Sequence, residues 1–548
     1  MTARVRHRAA AIAFVGSLLA HLVANGVAVL FNVPVIIGAG RILATVVAIG
    51  SALVLFLDSS VWAIARNTIA QAIRVKVAFV IMAVYLILVV CIPFIVKGDG
   101  TLRGQLHVVI AYSLIVAGLL LGILTLTVST TTLWTELRDK QIFLLEAKPV
   151  CRWQVLLGKL LGILLMNAAL LTFMGVVTWA SVTYLVAKAQ SAAASISADD
   201  TPLRERAERR LRDAKEQVLA ARRTLLPDPP PATDLHDFVG RNLPMREQRL
   251  QRSDRMPPAA MTAPDEATRR QIIRREAIRQ LAEEFRNLVN AVPPLYGRRW
   301  RFTGLRIPRS HSLNLTVRFK FLSSDRKSEE EHVRWEFGVL NRTKAYVQAR
   351  PFRPDEVHEL QVHADTVDQD GVFEVRFYNI EPRRPTLIFS EADSIQVLIP
   401  VGGFAGNLTR GLAVIFIEVL LIAVLGLFCS TFLGFPVSPI VALSVLLLTF
   451  LVSSLKVEFE KGFTFDQNQQ STTARLAERA TRAVTTVLDA ILPPFQKYSP
   501  SALVSSGEEV PLAMLLDATW RIALLYGGVL MLLGALIFQR REIALATP

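Results

Sequence analysis

Apolar runs long enough to cross a bilayer occur near both ends of the chain, and a mostly polar stretch separates the two groups. A hydrocarbon core of about 30 Å needs roughly 20 apolar residues in a helix. The runs are Ala9–Phe31, Ile42–Leu57, Val77–Val96, Leu106–Val128, Val155–Ala187, Leu412–Leu433, Val437–Leu455 and Ile522–Phe538. They predict a polytopic α-helical membrane protein with about eight spans, of which the second and the last are the shortest.

The first run is preceded by Arg4, Arg6 and Arg8, a pattern that also introduces secretory signal peptides. It is longer than the apolar part of a signal peptide, lacks a clear cleavage site and leads into another apolar run. We therefore interpret it as a membrane anchor.

Basic residues are concentrated in the short connections, which predicts the orientation of the spans because such connections stay in the cytoplasm. The residues are Arg4, Arg6 and Arg8, then Arg66, Arg74 and Lys76, then Arg138, Lys140, Lys148, Arg152 and Lys159, and finally Arg540 and Arg541. Both termini are then cytoplasmic, the protein is a multi-pass protein of the inner membrane, and residues 188–410 and 456–521 are extracytoplasmic.

Within the polar stretch, helical spacing comes first and strand spacing follows. After Thr201, apolar residues recur at spacings of three and four as far as Leu225, which predicts a helix that ends before the proline-rich residues 227–231. A second helix is predicted over Pro264–Asn290. From Leu313 the period becomes two, and six or seven short strands of this kind predict a β-sandwich.

Composition supports the membrane interpretation. The 548 residues are 52% hydrophobic and 20% charged, which is too apolar for soluble surfaces of this size. The net charge of +15 comes from 61 Lys and Arg against 46 Asp and Glu. Basic anchors on the cytoplasmic side explain this excess, so we expect no nucleic-acid partner. The three cysteines form no metal-binding or redox motif.

The connection after the fourth run combines an apolar face with charges. Leu133, Leu137, Leu144 and Leu145 lie near one helical face, whereas Glu136, Arg138, Asp139 and Lys140 point elsewhere. Such a segment can lie at the membrane surface and offer charges to a cytoplasmic partner. An ordinary amphipathic loop is an equally good interpretation from composition alone.

This segment resembles the cytoplasmic loop of ABC-2-type transporter permease subunits. The matching residues are Glu136, Leu144, Leu145, Lys148, Pro149, Val150, Arg152, Gly158 and Lys159. Residues 63–76 resemble the amphipathic elbow helix of that family, and residues 538–543 resemble its C-terminal ending. Residues 491–498 are similar to a segment of the branch linked to multicopper-enzyme maturation.

The resemblance implies a six-span permease core with two additions, an N-terminal hairpin and an extracytoplasmic α+β insertion. The implied domains are residues 1–58 (hairpin), 59–187 (first half of the core, with a coupling segment at 133–152), 188–310 (extracytoplasmic helices), 311–409 (β-sandwich) and 410–548 (second half, with an extracytoplasmic loop at 456–521). Both additions leave the implied core topology unchanged.

The resemblance also implies a mechanism in which a separate ATPase subunit docks on the coupling segment and drives two permeases, either identical or paralogous. The ATPase-coupling residues would be Glu136, Arg138, Asp139, Lys148, Pro149, Arg152 and Lys159. The sequence has no G-x-x-x-x-G-K-[ST] phosphate loop, so we expect ATP to bind the partner and this chain to be a transporter subunit without a cofactor, not an enzyme.

Glu418 is the candidate functional residue inside a span, because an ionised carboxylate there is costly. It faces either substrate or protons, or else it pairs with Arg410 or with a neighbouring helix near the interface, and the second interpretation is favoured. We predict no catalytic residues and no metal site. His358 and His363, five residues apart on one predicted strand, point to opposite faces.

Three classes of function remain open. The first is a permease that moves a substrate, with the exported domain capturing that substrate or a partner. The second is mechanotransmission, in which ATP hydrolysis by the partner moves the exported domain. The third is a membrane-anchored sensor or scaffold without an ATPase. The substrate and the direction of transport are not encoded in any motif recognised here.

Overall fold

The computed structural model describes most of the chain between residues 59 and 540. The described residues are 13, 59–74, 76–96, 101–138, 150–196, 201–229, 232–252, 256–261, 265–305, 314–325, 329–383, 385–389, 394–460 and 495–540. The chain divides into a helical unit, residues 1–221 with 402–548, and a second unit, residues 222–401.

The helical unit is built from long apolar helices. Its elements are α1 (Ser59–Arg74), α2 (Val77–Ile95), α3 (Leu102–Arg138), α4 (Arg152–Ala194), α5 (Thr201–Gln217), α9 (Phe404–Phe432), α10 (Val437–Glu460), α11 (Pro500–Ser505), α12 (Leu512–Ala518), a π-helix (Thr519–Gly527) and α13 (Gly528–Arg540). Among the described residues, four helical stretches are long and apolar enough to cross a membrane: Leu102–Glu136, Arg152–Ala194, Phe404–Phe432 and Leu512–Arg540.

Each of these four helices begins before one of the predicted apolar runs and covers it, except that the run Leu412–Leu433 ends one residue after its helix. The last begins ten residues before the predicted start at Ile522, because α12 and the π-helix continue into α13. Helices α1 and α2 form a pair bent by 61°, and α10 supplies a shorter apolar helix. Several long apolar helices indicate a membrane-embedded protein. The runs Ala9–Phe31 and Ile42–Leu57 lie outside the described residues, and the number of spans stays a prediction.

Polar side chains join the long helices where apolar packing alone would not fix their register. The Tyr85 hydroxyl of α2 lies 2.7 Å from the Thr178 hydroxyl of α4, and the Asn167 amide of α4 donates to the Thr125 hydroxyl of α3 at 2.9 Å. In an apolar medium such bonds hold helices together because the alternative is an unsatisfied polar group.

The second unit combines helices with antiparallel sheets. Its helices are α6 (Ala232–Gln251), α7 (Pro258–Met261) and α8 (Glu266–Asn290). Its strands are β1 (Ala220–Leu225), β2 (Ala291–Val292), β3 (Gly297–Phe302), β4 (Asn314–Phe319), β5 (Leu322–Ser323), β6 (Glu331–Phe337), β7 (Tyr346–Phe352), β8 (His358–His363), β9 (Phe373–Asn379), β10 (Leu387–Ile388) and β11 (Ile395–Gly403). The first two residues of β1 and the last two of β11 are assigned to the helical unit.

Two four-stranded sheets form the centre of this unit. Their strand orders are β1-β11-β4-β8 and β3-β9-β6-β7, and β2, β10 and β5 form a smaller sheet. Alternate residues of the strands enter one aromatic core, in which Trp335 packs 4.3 Å from Phe319 and 4.7 Å from Phe377 between ring centroids. The period of two read from the sequence therefore marks strands with one buried face, as expected.

The predicted helix from Thr201 to Leu225 is wrong in its last part. Helix α5 ends at Gln217, and Ala220–Leu225 forms β1, the neighbour of β11. Pairing with a strand far along the chain overrides the local helical spacing. The second predicted helix is confirmed as α8, where Ile273, Ala277 and Leu281 are buried.

The predicted division of the polar stretch at residue 310 also differs from the structure. Strand β3 lies before that position, yet it pairs with β9 along its whole length, with Trp300 opposite Val375. Helix α6 was not predicted, and Pro244 within it explains why its pattern was not recognised.

Candidate functional site

A buried ion pair joins the last turns of α3 to the first turns of α4. The Lys159 ammonium lies 2.8 Å from the Glu136 carboxylate and donates to the Thr132 carbonyl oxygen at 3.2 Å. Both side chains are almost fully buried, at 0% and 7% exposure. Because an unpaired charge at such a place is costly, each residue requires the other. The pair therefore fixes the two helices on either side of residues 139–149.

The C-terminal end of α13 meets the same place. The Arg152 guanidinium donates to the carbonyl oxygen of Phe538 at 2.9 Å and to that of Gln539 at 3.3 Å. It thereby satisfies carbonyl groups that the end of a helix leaves without a partner. Leu133, Leu156 and Phe538 form a buried apolar cluster alongside. We call this meeting of Leu133–Arg138, Arg152–Lys159 and Phe538–Gln539 the α3–α4–α13 junction.

Helix α1 packs against α4 next to the junction, where two glycines allow the backbones to approach. A Cβ atom on Gly158 would lie 2.6 Å from the Ile64 Cβ atom, and one on Gly162 would lie 2.8 Å from the Ala65 carbonyl oxygen. Glycines four residues apart form the small-residue surface on which helices in membranes pack closely. Helix α1, the predicted elbow helix, thus packs closely on α4, the helix that follows the predicted coupling segment.

An aromatic contact links the end of α3 to the connection between α9 and α10. The Trp134 ring lies 5.4 Å from the Phe435 ring, and the exposed Arg138 guanidinium lies 4.6 Å from the Trp134 ring centroid. Arg138 therefore keeps its charge at the surface while its stem covers the indole ring.

The predicted coupling residues fall into three groups. Glu136 and Lys159 are buried against each other, which corrects the expectation that Glu136 points away to offer a free charge. Arg138 is exposed, and Arg152 is bound to the end of α13. Asp139, Lys148 and Pro149 lie outside the described residues. A coupling role for all seven stays a prediction.

Glu418 has neither a hydrogen bond nor an ion pair to any other described residue. Arg410, one of the two partners that the favoured interpretation offered, instead binds the Glu509 carboxylate through its guanidinium at 2.8 Å. Helix geometry explains this difference, since eight residues separate Glu418 from Arg410 by about 12 Å along α9. Its neighbours on α9, Ile415 and Ile422, lie near Gly118 and Gly122 of α3. Glu418 is thus a carboxylate on the α3-facing side of an apolar helix.

Three features of the junction were missed from the sequence. The Gly158 and Gly162 pair had a visible signal, the four-residue spacing of small residues inside an apolar run. The contacts of Arg152 with Phe538 and of Lys159 with Thr132 had none, because they depend on how distant helices pack.

Comparison with protein-family models, with curated proteins and with solved structures finds no match. The resemblance to ABC-2-type permeases therefore rests on the residues quoted above.

Proposed function

We propose that this protein is the membrane-spanning permease subunit of an ABC transporter, driven by a separate ATPase subunit that docks on the coupling segment 133–152. In this proposal the α3–α4–α13 junction faces the cytoplasm, and a second copy or a paralogue completes the transporter. The proposal includes the six-span core and the N-terminal hairpin implied by the resemblance.

The observation that carries the proposal is the buried ion pair that joins α3 and α4, the helices before and after residues 139–149. A force on this segment reaches α3 and α4 together, because Glu136 and Lys159 hold them 2.8 Å apart at their charged groups. It also reaches α13 through Arg152 and α1 through Gly158. A segment whose two flanking helices are joined so firmly to each other, to α1 and to α13 is suited to pass on a push from an external motor.

The proposal is tested by reversing two charges of the coupling segment. Glu136 is unsuitable, because its replacement would leave Lys159 buried and unpaired. We therefore combine Arg138→Glu with Lys148→Glu in the full-length protein and measure how much ATPase subunit co-purifies. We expect most of it to be lost, while the matched variant Arg299→Glu with Arg301→Glu, exposed on β3, retains it. Unchanged co-purification from the first variant contradicts the proposal.

One observation favours mechanotransmission as the second candidate. Strand β11 runs into α9 without a loop, because Gly403 both ends the strand and caps the helix. A movement of α9 would then act directly on the strand. Reconstitution with the ATPase distinguishes the two functions: a permease moves a solute or a lipid across the bilayer during ATP hydrolysis, whereas a mechanotransmitter moves none.

A further inference from the structure

An open apolar cleft of about 520 Å³ lies between α4 and α9 within the helical unit. Ala168, Leu171 and Val176 line it from α4, and Leu408, Leu412 and Phe416 line it from α9. Both helices belong to the long apolar helices described above, so the medium around the cleft is hydrocarbon. Apolar cavities of this kind stay free of water, and a membrane component is the available occupant.

The hydroxyl groups in the walls of the cleft have no proton left to donate to a polar ligand. The Thr172 hydroxyl donates to the Ala168 carbonyl oxygen at 2.7 Å, and the Thr409 hydroxyl donates to the Gly406 carbonyl oxygen at 2.8 Å. Both protons are used within their own helices, and among the described residues no charged side chain lines the cleft. A polar ligand would lose its hydration without compensation, so the walls select hydrocarbon.

The position of Trp179 gives the cleft a direction. Trp179 lines the cleft and is half exposed, and indole rings favour the level of lipid headgroups. From Trp179 to Ala168 the wall extends about 16 Å along α4. At Gly175 a larger residue would clash with the Leu412 side chain, so α9 lies directly against the α4 backbone there. The cleft therefore leads from headgroup level into the hydrocarbon.

Its volume suits a flexible chain better than a helix. One turn of an α-helix about 10 Å across occupies roughly 400 Å³, so the cleft holds little more than one turn. A cavity of about 150 Å³ accepts the six carbons of benzene, so the cleft has room for roughly twenty carbons.

We propose that this cleft binds one acyl chain of a bilayer phospholipid, with the glycerol end near Trp179. This site is independent of the proposed transport function. It differs from the ordinary lipid-facing surface because helices flank the chain on two sides, whereas the exposed residues Ile440, Leu447 and Phe450 of α10 offer one face only.

The test uses the full-length protein in vesicles of phosphatidylethanolamine and phosphatidylglycerol, a fraction of which carries a photoactivatable diazirine on one acyl chain. Mass spectrometry then locates the labelled residues. We expect labelling at α4 and α9 in the cleft several-fold above that at the exposed face of α10. Ala168→Phe, which fills the cleft, lowers this excess to the α10 level. Ala169→Phe, on the adjacent exposed position of α4, leaves it unchanged.

Ala413→Phe fills the cleft from the opposite wall and serves if Ala168→Phe fails to fold. The proposal is overturned if labelling of the cleft in the wild type is no higher than labelling of α10. This result would be found if a protein segment covers the cleft, or if acyl chains exchange there as freely as elsewhere. An equal effect of Ala168→Phe and Ala169→Phe also overturns it. The proposal is also overturned if a free fatty acid that carries the same diazirine labels the cleft and the phospholipid does not.

Discussion

The Lys159 ammonium and the Glu136 carboxylate lie 2.8 Å apart in a place where both side chains are almost fully buried. Removing one partner leaves the other as a buried, unpaired charge, which costs about 3–5 kcal/mol. We expect Glu136→Gln and Lys159→Met each to lower the unfolding free energy in detergent by this order. The double variant should lose less than the sum of the two, because it leaves neither charge. Additive losses in this double-mutant cycle would show that the pair is not coupled.

The contact of α1 with α4 depends on Gly158. An added methyl group would meet Ile64 at 2.6 Å, so Gly158→Ala should displace α1 and lower the melting temperature in detergent. Gly406→Ala is the control, because nothing lies within 4 Å of the added atom. There the change should be neutral or stabilising by up to about 1 kcal/mol, the difference in helix propensity. Equal melting temperatures for both variants would argue against close packing at Gly158.

For Glu418 we expect substitution to have the opposite effect on stability. Since it has no partner among the described residues, Glu418→Gln removes a costly carboxylate without leaving a charge behind. We expect the melting temperature to stay the same or to rise. A fall comparable with that of Glu136→Gln would reveal an ion pair formed with a part of the chain outside the described residues.

Protonation of Glu381 should lower the stability of the second unit in acid. Burial works to raise the pKa of this carboxyl, but the backbone amides of His332, at 2.7 Å, and of Arg383, together with the His332 ring, hold it below its usual value. A lowered pKa in the folded state stabilises the fold above the unfolded pKa of about 4.3. That contribution disappears as the pH falls through the folded pKa.

This dependence is measured by comparing thermal unfolding of the wild type and Glu381→Gln at several pH values. The difference in melting temperature should be largest near neutral pH and shrink as the pH falls below about 4. A difference that does not change with pH would show that the carboxylate charge makes no contribution. The exposed Glu356 supplies the control substitution, Glu356→Gln.

The sequence predicts the elements whose pattern is local. Apolar length alone locates the four long helices, and alternation locates strands such as β6 and β9. It misses β1, since Ala220–Leu225 continues a helical spacing and becomes a strand only beside β11. It also misses β3, where arginines surround Trp300 and Phe302 and obscure the alternation.

The candidate site divides in the same way. The charged connection between α3 and α4 is visible from its composition and from its place after an apolar run, whereas its coupling role is implied only by the resemblance to ABC-2-type permeases. The partner of Glu136 is not visible, because Lys159 lies 23 residues away on another helix and only the packing of α3 on α4 brings the two together. Glu418 shows the same limit, because a position within a helix does not reveal which neighbour it faces.

The central claim is that an ATPase docks on the coupling segment, and site-specific photocrosslinking tests it most directly. A photoreactive amino acid replaces Lys148 in the full-length protein, and in a control it replaces Tyr296, exposed in the second unit. Crosslinked partners from the native membrane are identified by mass spectrometry. The account predicts a protein with a nucleotide-binding phosphate loop at position 148 and none at position 296. Adducts at position 148 that contain no such protein, or the same adducts at both positions, would contradict it.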